Sequence, residues 1–255
     1  MLATAAMRRA CTRMLCASPR VMRPTSQPTL SFDPSAKTAM DKQEPPAPGA
    51  DFRVVIVGAG NINFGSDEGP WNHSFRLEHK LGPRLKVVAL IDPDAERARR
   101  VLKTKCQSFV LSAYKDTVVY PTFKDYMASV CAETYPHAVW VGSPPAFRGG
   151  TEPGRNLEQL LTAGLPNVPL FIEKPVSTGA VDQTFEVAKM LEQNGSLVSV
   201  GYMLRYLKVV QKMKQIIAEN DLHVMAVNAR YIMAYEHTAK LCLLYTSDAA
   251  DEGLG

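Results

Sequence analysis

The residue with the clearest capacity for chemistry is Lys174, which follows a short apolar stretch and precedes a proline in the run Phe171-Ile172-Glu173-Lys174-Pro175. Pro175 cannot continue a strand ladder and favours an extended Lys174, so we expect the ammonium at the carboxyl end of a strand. Ligands bind at that edge of an open α/β sheet. The same residues also fit an ordinary strand end with a solvated Glu–Lys pair, so the neighbouring elements must decide.

A glycine turn follows another apolar stretch, Phe52 to Val57, in the order Gly58-Ala59-Gly60-Asn61-Ile62. Glycines in such a turn let the backbone approach a pyrophosphate, and a helix that begins there adds partial positive charge at its first residues. Gly58, Gly60, Asn61 and Ile62 are therefore predicted to bind a dinucleotide. Any tight turn between a strand and a helix can also carry glycines.

Asp92 ends the next apolar stretch, Leu85 to Ile91. A dinucleotide-binding protein places an acid there to accept hydrogen bonds from the adenosine ribose. The carboxylate favours NAD as the cofactor, because the 2′-phosphate of NADP would meet a negative charge. Nearby arginines keep NADP possible, namely Arg97, Arg99 and Arg100.

Two features between Gly58 and Asp92 depart from the usual dinucleotide fingerprint. Asn63 occupies the third glycine position, with Gly65 displaced, and Asp92 lies 34 positions after Gly58, where about 20 after the motif is usual. An insertion at about Phe64 to Trp71 must therefore lengthen the loop before the helix.

The rest of residues 51–203 alternates short apolar stretches with helical patterns, which is typical of a parallel sheet with helical crossovers. The predicted strands are Phe52–Val57, Leu85–Ile91, Ala138–Gly142, Leu170–Ile172 and Leu197–Gly201. The predicted helices are Trp71–Leu81, Asp94–Lys105, Phe123–Glu133, Asn156–Ala163 and Val181–Asn194. The expected fold class is α/β, a doubly wound parallel Rossmann sheet that binds a dinucleotide at its carboxyl edge.

A rigid turn, Ser143-Pro144-Pro145, ends the central predicted strand at the same edge, where a nicotinamide ribose would lie. Together with the glycine turn, Asp92 and Glu173-Lys174-Pro175, it resembles the glucose-fructose oxidoreductase, inositol dehydrogenase and rhizopine-catabolism (Gfo/Idh/MocA) family of NAD(P)-dependent dehydrogenases. The resemblance covers about Phe52 to Tyr235. Within the family, the stretch from Phe64 to His73 resembles a fungal branch that includes quinate-utilisation oxidoreductases.

The resemblance implies hydride transfer between a nicotinamide cofactor and a carbinol carbon of a sugar, inositol or related polyol. NAD is the expected cofactor, with NADP possible. Lys174 is the implied catalytic residue, because the hydroxyl must lose a proton as the hydride leaves and a positioned acid, base or cation must meet the developing oxyanion. Partial burial of Lys174 would favour this role.

The resemblance also implies supporting roles for several residues. Ser143 and Pro144 would line the cofactor, and Glu173 would hold the lysine or touch the cofactor ribose, unless it is simply solvated. Arg205 would bind cofactor or substrate oxygens, or would be ordinary surface charge near the lysines that follow it. His73 aligns with a histidine that the family often carries, although helix packing or capping is the favoured interpretation.

Residues 204–241 are predicted to begin a substrate domain, with a helix at Leu207–Ala218 and a strand at Leu222–Tyr235. In the resembled family this strand opens an antiparallel sheet that carries an Asp-x-x-x-His pair, and no such segment follows here. One strand alone leaves two unpaired edges. Residues 242–255 resemble a translated sequencing adapter more than a natural acidic tail, so we expect the parent protein to continue beyond about Leu241.

Composition argues against several other classes of function. The 255 residues carry a net charge of +4, which arises within residues 1–50, where seven Lys and Arg face three Asp and Glu. No charge excess remains for a nucleic-acid groove. The five cysteines lack paired metal-ligand spacing, so neither a metal site nor a disulfide framework is predicted. No apolar run approaches the roughly 18 residues of a membrane span.

Residues 1–50 are predicted to be a leader outside the fold. Five arginines before the first acid, Asp33, are typical of a mitochondrial transit peptide, whereas a true start at Met40 would leave a cytoplasmic protein. The cytoplasmic alternative is favoured because the arginine-rich stretch lacks an apolar helical stripe. The expected partners are a small sugar or polyol and, for the full-length parent, further copies of itself. The alternative function is a non-catalytic dinucleotide-binding transcriptional regulator of the same fold.

Overall fold

The computed structural model describes residues 46–65, 72–230 and 232. The strands are β1 (Phe52–Val57), β2 (Leu85–Ile91), β3 (Val118–Tyr120), β4 (Ala138–Val141), β5 (Leu170–Ile172) and β6 (Val198–Val200). They form one sheet in the order β3-β2-β1-β4-β5-β6, in which every neighbouring pair is parallel. Chain order reverses between β1 and β4, and ligands bind at such a switch point in doubly wound sheets. The predicted Rossmann fold is confirmed.

The central strands form because aliphatic, largely β-branched side chains are buried on both faces of the sheet. Val54 and Ile56 of β1 belong to one core cluster, whereas Val55 and Val57 belong to the other. This alternation is the period of two expected for a strand. Each such side chain contributes about 1.5–3 kcal/mol when it is fully buried, so the central strands are a main source of stability.

Helices cover each face of the sheet. They are α1 (Asn61–Phe64), α2 (His73–Leu81), α3 (Ala95–Cys106), α4 (Leu111–Tyr114), α5 (Phe123–Ser129), α6 (Leu157–Gly164), α7 (Val181–Gln193) and α8 (Lys208–Glu219). Helices α2, α3 and α4 pack on the face of Val54, and α5, α6 and α7 pack on the face of Val55. Side chains of Asn72, Asp94 and Thr122 cap α2, α3 and α5 by accepting a backbone N–H.

Strand β3 and helix α4 lie outside the sequence prediction. They have three and four residues, which is too short for a hydrophobic period to show. β3 nevertheless pairs with Ala89–Ile91 of β2 and forms one edge of the sheet. Its existence depends on that pairing and not on the local sequence.

The first crossover also differs from the prediction of a helix at Trp71–Leu81. A four-residue helix, α1, follows the glycine turn directly and ends at Gly65, whose φ is +89°. The longer helix α2 begins at His73 after its cap Asn72. The Nδ2 atom of Asn72 donates to the carbonyl of Phe64 over 3.1 Å, which joins the two ends of the insertion. Residues 66–71 lie outside the described part of the chain.

The chain divides into two compact units after Tyr202. In the second unit, a 3₁₀ helix at Met203–Tyr206 precedes α8. The predicted strand at Leu222–Tyr235 is wrong for its described residues, because 222–230 have no regular secondary structure and are exposed. β-branched composition favours a strand only where a partner strand satisfies its backbone. Residues 1–45 and 233–255, including the predicted tail at 242–255, lie outside the description.

Two kinds of feature are absent from the described residues. No helix among them is long and apolar enough to cross a membrane. No group of three or more His, Cys, Asp or Glu side chains among them is arranged to hold a metal ion.

Candidate functional site

The turn after β1 requires glycine at position 58 for two separate reasons. The φ of Gly58 is +95°, a conformation that other L-residues rarely adopt. A Cβ added to Gly58 would also lie 3.0 Å from the backbone nitrogen of Ser143 in the turn after β4. The absence of a side chain therefore lets the turns after β1 and β4 meet at the switch point of the sheet.

Three backbone amides of the glycine turn are available to a ligand. Within the described residues, the N–H groups of Gly60, Asn61 and Ile62 make no hydrogen bond. A Cβ on Gly60 would meet nothing within 4 Å, so the space beside this turn is open. Free amides grouped in a turn bind anions. Because α1 has only four residues, these amides supply the positive potential that the sequence analysis assigned to a full helix.

Asn63 occupies the third glycine position and holds the end of β1. Its side chain is fully buried, and its Nδ2 atom donates to the carbonyls of Val57 at 3.1 Å and Gly58 at 2.7 Å. It packs so closely on Gly142 that a Cβ added there would clash with its Oδ1 atom. This role of Asn63 was not predicted from the sequence, although an asparagine at the third glycine position was the feature that pointed to it.

Asp92 lies buried beside the glycine turn, with three hydrogen bonds to its carboxylate. Oδ2 accepts from the backbone N–H of Ala59 at 2.6 Å, and Oδ1 accepts from the backbone N–H of Asp94 and from Nη2 of Arg97, each at 2.8 Å. A carboxylate has about four acceptor positions, so one remains for a ligand. Asp92 therefore orders the glycine turn in addition to any contact with a ribose.

Arg97 contributes a positive charge beside Asp92. Its guanidinium side chain is 44% exposed, and the hydrogen bond to Asp92 is the main cause of its raised pKa. The ion pair partly neutralises the carboxylate that would repel a 2′-phosphate. The other two predicted arginines, Arg99 and Arg100, have no hydrogen bond or ion pair to Asp92.

The turn after β4 brings Ser143 and Pro144 to the same edge as the glycine turn. Pro144 precedes a 3₁₀ helix at Pro145–Phe147. The Oγ atom of Ser143 is buried and has no hydrogen-bond partner in the part of the chain that the structure describes, and its backbone nitrogen lies against Gly58. Ser143 therefore adjoins the glycine turn, and contact of Ser143 and Pro144 with a cofactor stays a prediction.

Glu173 is not a solvated carboxylate. Its side chain is 9% exposed, Oε2 accepts from the backbone N–H of Lys174 at 2.7 Å, and Oε1 lies 2.9 Å from Nε2 of His73. Of the alternatives that the sequence left open, the solvated one is wrong. The hydrogen bond to the Lys174 N–H is compatible with holding the lysine through its backbone, and a contact with the cofactor ribose stays a prediction.

Lys174 is exposed at the carboxyl end of β5, and the peptide that joins it to Pro175 is cis. In the described part of the chain, its ammonium has no hydrogen bond and no ion pair. The partial burial expected from the sequence is therefore not provided by the Rossmann unit. What that unit does provide is a fixed backbone and a free cation.

His73 begins α2 and is only 4% exposed. Its ring lies against the side chain of Glu173. Its ring centroid is 5.0 Å from that of Phe171 and 5.5 Å from that of Trp140. Phe171 and Trp140 stack on each other with centroids 4.1 Å apart. The packing interpretation of His73 thus agrees with its surroundings, and the hydrogen bond to Glu173 joins α2 to β5.

Comparison with known proteins assigns the same region to a family. Residues 52–202 match the oxidoreductase family with an NAD-binding Rossmann fold, Gfo/Idh/MocA. The chain belongs to this family. Residues 205–252 match a second domain, described as an oxidoreductase C-terminal domain. The resemblance inferred from the glycine turn and Glu173-Lys174-Pro175 is confirmed.

Two curated relatives come from a fungus, Schizosaccharomyces pombe, and both are described as uncharacterized proteins. Each is 44% identical to this chain over 201 residues, which are 78% of the chain. The match covers 52% of one relative and 49% of the other. The chain thus spans about half the length of the relatives that it matches.

Solved structures of the family resemble the chain at low sequence identity. A super-repressor mutant of Gal80p from Saccharomyces cerevisiae aligns with TM-score 0.49 and 17% identity, over 68% of this chain and 39% of its own. A myo-inositol 2-dehydrogenase from Lactobacillus plantarum aligns with TM-score 0.45 and 18% identity, over 67% of this chain and 42% of its own. The WlbA dehydrogenase from Bordetella pertussis, in complex with NADH and UDP-GlcNAcA, aligns with TM-score 0.45 and 17% identity, over 67% of this chain and 43% of its own.

The side chains at this Gfo/Idh/MocA edge are compatible with a dinucleotide. The open side of Gly60, the three free amides and the remaining acceptor position of Asp92 fit a pyrophosphate and a ribose in their chemistry. Arg205 belongs to the C-terminal unit, where it lies exposed in the 3₁₀ helix. Its predicted contact with cofactor or substrate therefore stays a prediction.

Proposed function

We propose that this Gfo/Idh/MocA chain supplies the cofactor-binding part of an NAD(P)-dependent oxidoreductase that acts on a sugar, inositol or related polyol. A carbinol carbon would give its hydride to the nicotinamide, while the hydroxyl proton passes to a protein base and the carbonyl forms. The proposal assigns cofactor binding to residues 52–202 and the complete reaction to the full-length protein.

The observation that carries the proposal is the arrangement of Lys174 and the glycine turn on one edge of the sheet. Lys174 follows β5 with an exposed ammonium that has no partner among the described residues. The three amides that are free within the same residues follow β1, and β4 lies between the two strands. One edge therefore offers donors for an anionic cofactor and a cation for a reacting oxygen.

Lys174 would be the general acid–base group of the proposed reaction. As a neutral amine it would accept the proton of the substrate hydroxyl, and as an ammonium it would return that proton to the carbonyl oxygen in the reverse direction. Glu173 would keep the lysine backbone in place through its hydrogen bond to the Lys174 N–H. The bound cofactor would supply the hydride acceptor at its nicotinamide ring.

NAD is the proposed physiological cofactor. The Asp92 carboxylate retains one acceptor position for a ribose hydroxyl and would repel a 2′-phosphate at that place. Arg97 weakens the repulsion because it pairs with the same carboxylate. We therefore propose a preference for NAD with measurable binding of NADP, and not strict exclusion.

The proposed substrate class rests on family membership and on the need for a carbinol carbon beside Lys174. The structural neighbours include a myo-inositol 2-dehydrogenase and a dehydrogenase in complex with UDP-GlcNAcA, and inositol and UDP-GlcNAcA are both polyhydroxylated compounds. Such substrates present several hydroxyl groups to an ammonium and to backbone donors. The residues that would select one polyol over another are not assigned.

Hydride transfer by the full-length protein tests this proposal against the regulator alternative. We would follow nicotinamide absorbance with NAD and a panel of inositols, sugars and sugar acids, using the unsubstituted protein, Lys174→Met and Lys189→Met. Lys189 is an exposed lysine on α7 and serves as the matched control. The proposal predicts turnover that Lys174→Met reduces at least a hundredfold, in the range of a lost general acid–base, and that Lys189→Met leaves unchanged. Cofactor binding without turnover on any substrate would favour the regulator.

A further inference from the structure

Arg148 is a fully buried arginine that joins two turns at the carboxyl edge of the sheet. Its side chain is 1% exposed. Nε donates to the carbonyl of Ser143 at 3.0 Å, and Nη1 donates to the carbonyl of Val176 at 2.9 Å. Ser143 follows β4, and Val176 follows the Lys174–Pro175 peptide, so one guanidinium spans the two turns.

The residues beside Arg148 strengthen this connection. Gly149 has φ +71°, and a Cβ there would lie 2.6 Å from the carbonyl oxygen of Val176. Its backbone N–H donates to Oε2 of Glu158 at 2.8 Å, and its carbonyl accepts from the hydroxyl of Thr184. The segment that starts at Arg148 is therefore pressed against the residues that follow Lys174 and is tied to α6 and α7.

Burial is the largest influence on the charge of Arg148, and two nearby carboxylates oppose it only in part. Burial lowers its pKa, whereas the negative charges of Glu158 and Glu173 raise it. A buried arginine is costly unless its donors are satisfied, and an apolar residue of similar length fills such a space at lower cost. The rigid fork of a guanidinium can hold two carbonyl groups at once, which neither an aliphatic chain nor the single ammonium of lysine reproduces.

We infer that Arg148 is a positioning residue for the nicotinamide end of the cofactor site, acting through the Ser143 turn and the Lys174 turn. This inference rests on the proposed cofactor binding. The adenosine end depends on other groups, namely the glycine-turn amides and Asp92, none of which hydrogen-bonds to Arg148. Loss of Arg148 should therefore weaken recognition of the nicotinamide half and leave recognition of the ADP half intact.

Parallel titrations of NADH and ADP separate this role from a general effect on folding. The variants are Arg148→Met, which removes the fork, Arg148→Lys, which keeps the charge, and Arg155→Met as a control on the same loop. The guanidinium of Arg155 donates to the side chain of Thr178 and not to either turn carbonyl. Near-ultraviolet circular dichroism and a thermal unfolding curve establish whether each variant is folded.

The inference predicts that Arg148→Met weakens NADH binding about tenfold or more, because the Ser143 turn and the Lys174 turn lose the link that positions them, with ADP affinity within twofold of the unsubstituted chain. Arg148→Lys should lower the ratio of NADH affinity to ADP affinity by at least half as much as Arg148→Met does. Arg155→Met should leave this ratio unchanged. If Arg148→Met does not fold, the NADH and ADP affinities of Arg148→Lys alone decide whether the inference holds. Unchanged NADH affinity, or an equal loss for NADH and ADP, would overturn the inference while leaving the proposed function standing. Failure of the unsubstituted chain to bind either ligand would overturn both.

Discussion

The Oε1 atom of Glu173 lies 2.9 Å from the Nε2 atom of His73 in a buried pair that joins β5 to the first turn of α2. Through its other oxygen, Glu173 also accepts the backbone N–H of Lys174. One carboxylate therefore links the helix that follows the insertion to the residue proposed to move the proton. The glutamate of Glu173-Lys174-Pro175 has a structural role that its neighbours in sequence do not reveal.

We predict that Glu173→Ala is strongly destabilising. It leaves the buried donor His73 Nε2 and the partly buried Lys174 N–H without an acceptor, and loss of the buried hydrogen bond alone costs about 1–3 kcal/mol. Glu173→Gln keeps one carbonyl acceptor and should lose less than half as much. Urea unfolding measures both values, with the exposed Glu186→Ala as control. Equal stability of the Ala and Gln variants would show that these hydrogen bonds do not matter.

Gly58→Ala should destabilise the fold, whereas Gly60→Ala should not. Alanine at 58 must adopt a φ of +95° and meets the Ser143 backbone, which costs about 1–3 kcal/mol. The φ of Gly60 is −78°, which alanine adopts freely. Thermal unfolding of the two variants checks the difference. A Gly58→Ala protein as stable as Gly60→Ala would contradict the close approach of the two turns.

The cofactor preference should respond to Asp92→Asn. Removal of the negative charge should shift the ratio of NADPH to NADH affinity about tenfold toward NADPH, because the repulsion of a 2′-phosphate disappears. Both affinities should also fall somewhat, since Asp92 holds the Ala59 N–H. Competitive titration gives the ratio, with the exposed Asp182→Asn as control. An unchanged ratio would mean that Asp92 does not face the ribose.

Glu158 should make the stability of the chain depend on pH. Burial raises its pKa above the ordinary 4.5, although the Gly149 N–H and Arg148 act in the opposite direction. The folded state thus binds the proton more tightly than the unfolded chain does, and stability falls as pH rises from about 4.5 to the folded pKa, then stays level. The Glu158→Gln variant should lack this fall in stability, because glutamine carries no titrating carboxyl group.

Urea unfolding of the unsubstituted chain and Glu158→Gln at a series of pH values tests the sign. As pH rises through the window that begins near 4.5, the unfolding free energy of the unsubstituted chain should fall relative to that of the Glu158→Gln variant. A difference that is constant with pH, or that moves the other way, would show that Glu158 is not held in a proton-favouring environment.

The sequence predicted the sheet and its functional edge because both depend on strong local signals. Val54 to Val57 are apolar and β-branched, the glycines need a special turn, and Pro175 ends a strand wherever it occurs. β3 was missed because its three residues owe their conformation to pairing with β2. The strand expected at Leu222–Tyr235 fails in its described residues for the converse reason, since propensity without a partner does not form a ladder.

The site was predictable as a set of residues but not as a set of contacts. Lys174, the glycine turn and Asp92 follow from strand ends, and parallel strands bring those ends to one edge. The pairing of Glu173 with His73 joins residues 100 positions apart, and the fork of Arg148 joins turns that belong to different strands. Such long-range contacts depend on packing that no local pattern encodes.

Titration of the 255-residue chain with NADH, followed by nicotinamide fluorescence, tests the central claim most directly. We predict saturable binding that Gly60→Ala weakens at least tenfold without loss of thermal stability, because its new methyl group projects into the open space beside the three free amides. No saturable binding at millimolar NADH, or equal binding by the Gly60→Ala variant, would contradict a cofactor site at the glycine turn.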